Sequence, residues 1–162
     1  MAMTVKRLNA EGGFDAFYRR HYSGAVALAH ALAGPRVAED IAQDAFAAAL
    51  RTWDQLETPE RWLRRVVANQ SRSALRRAYA EARALRRLTG ERTLADVPEP
   101  TDEFWAEVRR LPRRQAQVIA LIYIEELTTS EVAATLECAE ATVRVHLHRA
   151  RQTLAEQFGT EA

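Results

Sequence analysis

The chain has 162 residues, 48% apolar and 28% charged, with a net charge of +1. That length suits one domain or two small ones, and abundant Ala, Leu, Arg and Glu without sustained period-two alternation predicts an all-α protein. A single cysteine, Cys138, excludes an internal disulfide, and no cysteine–histidine cluster has zinc-site spacing, so no metal and no other cofactor is expected.

Residues 1–13 read as a short flexible start. Phe14 to Leu32 follows as a helix whose apolar surface comes mostly from Phe14, Phe17, Tyr18, Tyr22, Val26 and Leu28, ended by Gly34-Pro35. His21 and His30 on it are read as structural or surface residues. A second helix is predicted from about Val37 to Trp53, with Ile41, Ala45, Ala49 and Trp53 at steps of four. Thr58 is placed to cap a third, because Pro59 falls at its first position, where a missing N–H costs nothing. That helix has Trp62, Leu63, Val66 and Val67 facing inward and runs on toward Arg87. Trp53 and Trp62 are read as core rather than as stacking platforms.

From Leu88 to Thr101 the chain carries Gly90, Pro98 and Pro100 without an amphipathic period and reads as a flexible linker. Leu111-Pro112 then starts the apolar helix Arg113 to Ile124. Its most apolar run, Val118 to Ile124, is about a third of the roughly 20 residues that cross a bilayer. No charged-then-apolar leader is present either, so a cytoplasmic protein without membrane insertion is expected.

Residues 128–154 read as a helix-turn-helix. Thr128 and Glu131 have the spacing of a capping box. Val132, Ala133 and Leu136 give the first helix an apolar edge, and Cys138 sits in the turn as a small packing residue. Val143, Leu147, Ala150 and Leu154 recur at steps of four, three and four and define the buried stripe of a second helix. Opposite that stripe lie Ala141, Val145, His148, Arg149 and Gln152, flanked by Thr142 and Arg144. Such a face can approach base edges, touch thymine methyls through Val145, and offer Arg144 and Arg149 to guanine or to phosphate.

Net charge says nothing about nucleic acid, but its distribution does. Arg64, Arg65, Arg72, Arg76, Arg77, Arg83, Arg86, Arg87 and Arg92 face only Glu81 and Glu91 in their segment, which suits a polyanion. The preceding segment, with Glu39, Asp40, Asp44, Asp54, Glu57 and Glu60 against Arg36 and Arg51, suits a basic partner. Asp40 and Asp44, one turn apart, share a helix face. No nucleophile–base pair or phosphate-cradling glycine loop is present, so no enzymatic reaction is expected.

The order of these parts resembles the extracytoplasmic-function sigma factors of bacteria, over nearly the whole chain. Ala38-Glu39-Asp40-Ile41-Ala42-Gln43-Asp44-Ala45-Phe46 is similar to the acidic helix of that family's second conserved region. Trp62-Leu63-Arg64-Arg65-Val66-Val67-Ala68-Asn69 with Arg76-Arg77 is similar to the segment that melts and reads the minus-ten element. Leu111-Pro112, Glu131-Val132-Ala133 and 141–151 are similar to the fourth region, which reads the minus-thirty-five element.

The resemblance implies domains at 14–87 and 102–162 about a linker at 88–101. It also implies a transcription initiation factor that is monomeric when free, with core RNA polymerase, promoter DNA and an anti-sigma factor as partners. Glu39, Asp40 and Asp44 would meet core polymerase. Arg61, Arg64, Arg65, Arg72, Arg76 and Arg77 would hold the minus-ten backbone while the Asn69 amide grips a flipped base. Thr142, Arg144, Val145, His148 and Arg149 would read the upstream duplex.

The alternatives are a free-standing helix-turn-helix repressor or activator, dimeric on a palindrome, and a protein-binding mimic that never touches DNA. Ser73 stands where the family usually has Asp, His146 where Arg is frequent, and the loop before Trp62 lacks a Phe-Arg-Gly type sequence. Glu137 stands where the family usually has glycine. Either it carries a left-handed strain of roughly 1–2 kcal/mol, or the turn has another geometry.

Overall fold

The computed structural model describes residues 13–90 and 102–159, which form seven α-helices and no strand. These are α1 (Gly13–Ala33), α2 (Ala38–Arg51), α3 (Pro59–Thr89), α4 (Glu103–Arg110), α5 (Arg113–Tyr123), α6 (Thr129–Leu136) and α7 (Glu140–Phe158). None is long and apolar enough to cross a membrane.

Helices α1, α2 and α3 pack on one another through stripes that the 3.6 period lays down. Ala25, Leu28, Ala29 and Leu32 are buried on α1, Ile41, Ala42, Ala45, Phe46 and Ala49 on α2, and Leu63, Val67 and Ala74 on α3. Alanines at these contacts bring the backbones close. Ser71, fully buried, is satisfied by donating to the Val67 carbonyl at 2.7 Å. Aromatic rings lock one end of the trio: Tyr18 lies 4.8 Å from Phe46, and Trp53 lies 5.0 Å from Phe17 and 5.4 Å from Phe14. Such pairs contribute about 0.5–1.5 kcal/mol each beyond the area they bury. Both Trp53 and Trp62 are partly buried against the core, as the sequence suggested.

Helices α4 to α7 build around Val108, Leu111, Val118, Ile119, Leu121, Val132, Leu136, Val143, Ala150 and Leu154, all buried. Glu131 N–H donates to Thr128 Oγ1 at 3.2 Å and Thr128 N–H to a Glu131 carboxylate oxygen at 2.8 Å, so the capping box is complete. These bonds, backbone first, hold the Glu131 carboxyl below its ordinary value.

The boundaries depart from expectation in four places. Helix α2 stops at Arg51, where Thr52 Oγ1 donates to the Ala48 carbonyl at 3.0 Å, and Trp53–Gln55 is a separate 3₁₀ turn. Thr58 occupies the position before Pro59 but makes no side-chain capping bond, leaving Pro59 to set the start of α3. Helix α3 runs to Thr89 and is closed by Gly90 in the left-handed region, φ 65°, so Leu88 and Thr89 are helical rather than linker. Helix α4 was not anticipated. The rest of the expected linker, and residues 1–12, lie outside the described residues.

The two groups of helices touch. Helices α4 and α5 pack on α1, α6 packs on α3, and the buried apolar side chains of both groups form one continuous cluster. Arg109 of α4 donates to the carbonyls of His30 and Ala31 at 3.1 and 3.3 Å while paired with Asp102 at 2.5 Å. A cation thus sits on the negative end of α1, where unpaired carbonyls favour it.

Thr128→Ala should lower the unfolding free energy by about 1 kcal/mol, measured by chemical denaturation. Because the Glu131 carboxyl is depressed when folded, its stabilising share is present above the unfolded carboxylate value and is lost as pH falls through the lower folded one. Glu131→Gln, which can still bond back to Thr128, should keep the cap and abolish that acid-dependent loss.

Candidate nucleic-acid interface

Three helix surfaces carry the residues that the sequence singled out. On α2, Glu39, Asp40 and Asp44 are exposed, with Asp40 and Asp44 sharing one face as their spacing requires. Leu50, at the far end of the same helix, is 57% exposed. A carboxylate face of this kind suits a basic partner surface.

On α7 the outward face is as expected. Ala141, Thr142, Arg144, Val145, His148, Arg149 and Gln152 are all exposed, Val145 at 47%, while Val143, Ala150 and Leu154 turn inward. Glu140 accepts from Arg144 at 2.8 Å and from Thr129 Oγ1 at 2.8 Å, which parks the arginine beside the first turn of its own helix. The turn between α6 and α7 settles the geometry of Glu137: φ 55° and ψ 49° place it in the left-handed region. The N–H of Cys138 closes the turn on the Ala133 carbonyl at 3.1 Å. Glu137 therefore carries the strain that a glycine would avoid, about 1–2 kcal/mol.

The third surface is α3. Arg61, Arg76 and Arg77 are exposed, whereas Arg64, Arg65, Asn69 and Arg72 are half-buried. What half-buries them is the other group of helices. Arg64 pairs with Glu125 at 2.9 Å, and Arg65 pairs with Glu137. The Asn69 amide oxygen accepts from Arg113 at 2.6 Å and from Gln117 at 3.3 Å, and Gln117 also donates to the Ala68 carbonyl at 3.2 Å. Glu125, Glu137, Arg113 and Gln117 were not among the residues expected at this surface. Nothing local marks them, because their partners lie 44 to 72 positions away.

Electrostatics at this seam are mixed. The Arg113 guanidinium is pushed below its ordinary value, by burial first and then by the neighbouring Arg114, Arg72 and Arg76. Four cations crowd one place. His21 of α1, 3.8 Å from Glu60, is likewise lowered, chiefly by burial, with Glu60 and Glu125 opposing and Arg64 and Arg20 adding to the effect.

Comparison with known proteins bears on these surfaces. The family model described as sigma-70 region 2 matches residues 17–81, and that described as sigma-70 region 4 matches residues 101–154. The ECF RNA polymerase sigma factor SigW of Bacillus subtilis is 30% identical over 140 residues, covering 75% of this chain and 75% of SigW. The ECF RNA polymerase sigma factor SigE of Mycolicibacterium smegmatis is 28% identical over 155 residues, covering 88% of this chain and 60% of SigE. In fold, the chain is similar to the sigma factor RpoE in its complex with the anti-sigma factor NepR from Bartonella quintana, with a TM-score of 0.70 at 21% identity over 92% of this chain and 98% of that one. It is also similar to CnrH in complex with the cytosolic domain of CnrY, with a TM-score of 0.69 at 20% identity over 99% of this chain and 97% of the other. The chain belongs to the extracytoplasmic-function sigma factors of the sigma-70 family, which are transcription initiation factors.

Proposed function

We propose that the protein binds core RNA polymerase and directs it to promoters whose two elements it reads with separate helices. Residues 14–87 act as one domain and 102–162 as the other. Glu39, Asp40 and Asp44 form the polymerase contact. Thr142, Arg144, Val145, His148 and Arg149 enter the major groove of the upstream element, where Arg149 and a released Arg144 contact guanine or phosphate. On α3, Arg61, Arg64, Arg65, Arg72, Arg76 and Arg77 hold the backbone of the minus-ten element and Asn69 holds an extruded base. The protein performs no reaction of its own, and polymerase supplies the chemistry.

The observation that carries this reading is the set of bonds on α3. The arginines and the asparagine best placed for DNA are held by carboxylates, an amide and a guanidinium of the same chain, as groups awaiting a polyanion would be in its absence. The arrangement described above is then the closed, DNA-free form. Its two ion pairs stand in for phosphate contacts, and the crowding of Arg113, Arg114, Arg72 and Arg76 works against closure. The free protein is monomeric and cytoplasmic. Both structural neighbours are held by other proteins, the Bartonella factor by its anti-sigma factor. By analogy, an anti-sigma partner would keep this chain closed.

Run-off transcription with core polymerase and a library of genomic promoter fragments tests the reading: the protein should create start sites that core alone lacks. Asp40→Ala/Asp44→Ala should abolish them together with co-migration with core. Arg149→Ala should weaken upstream-element binding by about 1–3 kcal/mol and relax preference at one base pair. Unchanged start sites with and without the protein would reject the assignment.

The Arg65–Glu137 pair couples the α6–α7 turn to α3. An exposed ion pair is worth about 0–1 kcal/mol, less than the strain of about 1–2 kcal/mol at Glu137. Glu137→Gly should therefore raise the melting temperature while increasing transcription at low salt. A lower melting temperature or reduced transcription would show that the Glu137 turn serves the fold alone.

A further inference from the structure

The last buried residue of α3 is Leu75, yet the helix continues for fourteen more residues, Arg76 to Thr89, none of them buried. An isolated helix of that length is marginal in water, so this half is held as a helix largely by continuity with the packed half. Burial of its own side chains does not account for its presence.

The arginines along α3 follow a rule. Arg65, Arg72, Arg76, Arg83 and Arg87 are separated by seven, four, seven and four residues. At about 100° per residue these steps keep all five within roughly 60° of arc, and Asn69 falls inside the same arc. Val67, Ala74 and Leu85 lie on the opposite side. At 1.5 Å per residue the ridge is about 33 Å long, and its part beyond Asn69 spans about 27 Å, the length of about eight base pairs of duplex. Only one acid, Glu81, lies on the projecting half, and it points away from the ridge, about 140° from Arg76.

We infer that the projecting half of α3 is a track for duplex DNA, with Arg83 and Arg87 on the phosphates of the promoter spacer next to the minus-ten element. This rests on the function proposed above and adds to it a third DNA contact, between the two sequence-reading ones. Charge selects the occupant, because an unbroken arginine ridge fits a regular row of phosphates. Collinearity selects the place, since the same arc already contains Arg65, Asn69, Arg72 and Arg76. Such contacts supply affinity without reading sequence.

The test uses holoenzyme, core polymerase with the full chain, bound to a promoter fragment over a range of salt. In Arg83→Ala/Arg87→Ala, the slope of log affinity against log salt should become shallower by about 1.8, the value for two lost phosphate contacts. The loss should be equal for promoters of different spacer sequence and absent on the isolated minus-ten single strand. Arg83→Lys/Arg87→Lys should recover most of it, and circular dichroism should show the helix intact. A slope equal to that of the unaltered protein would overturn the inference, as would a loss of the same size on the single strand. Weakened binding to core without DNA would assign the ridge to protein instead and also overturn it. Should the unaltered chain fail to direct initiation at all, the fault would lie in the underlying function and not in the ridge.

Discussion

A guanidinium group that is satisfied by a carboxylate is not available to a phosphate, and this exclusion governs how the two halves of the chain relate. Arg64 and Arg65 stand where α3 would meet DNA, and each is taken by a glutamate from the other half, Glu125 and Glu137. The two contacts differ in weight. Both side chains of the Arg64–Glu125 pair are largely shielded from solvent, whereas the Glu137 side chain is 70% exposed. Water and salt weaken the outer pair more than the inner one. Contact between the two groups of helices also draws on apolar packing between α1 and the α4–α5 corner and on Arg109 at the end of α1, neither of which uses a residue proposed to meet DNA. The face of α3 proposed to meet DNA is thus covered by charged groups that compete with a polyanion for the same arginines, and the cover is attached by apolar contacts that do not.

The packed helices fix where the charged faces point. Alanines at the α1–α2 contact, with Leu28 and Phe46, turn Glu39, Asp40 and Asp44 outward. The aromatic group of Phe14, Phe17, Tyr18, Phe46 and Trp53 anchors the turn from which α3 departs. In the second half, the capping box at Thr128 and the left-handed Glu137 set the start of α6 and the angle at which α7 leaves it. The exposed side of α7 follows from Val143, Ala150 and Leu154 being buried.

Most of this was legible from periodicity. Steps of three and four located α1, α2, α3 and α7, and the Thr128–Glu131 spacing located a cap that is present bond for bond. Helix α4 was legible too: Phe104, Trp105 and Val108 stand at i, i+1 and i+4, and Leu111 continues the stripe, but the helix is only eight residues long and lies between Pro98-Glu99-Pro100 and Leu111-Pro112, where turn signals dominate. Thr58 shows the limit of propensity, since its position was right while its side-chain bond is absent. The outward faces of α2 and α7 were readable as complements of buried stripes. The pairing of Arg64 with Glu125, of Arg65 with Glu137, and of Asn69 with Arg113 and Gln117 was not readable. It depends on how helices far apart in the chain dock, and no local spacing encodes that.

Glu125 and Glu137 compete with DNA for the arginines of α3 if the proposed function holds. A donor label on Asp15 of α1 and an acceptor on Gln152 of α7, both exposed positions, would report separation of the halves as a single-stranded minus-ten oligonucleotide and core polymerase are added. The labels should move apart together with DNA binding, and at lower oligonucleotide concentration in Glu125→Gln than in the unaltered protein. DNA bound at full affinity with the transfer efficiency unchanged would show that α3 never needed to be uncovered, and would contradict the account.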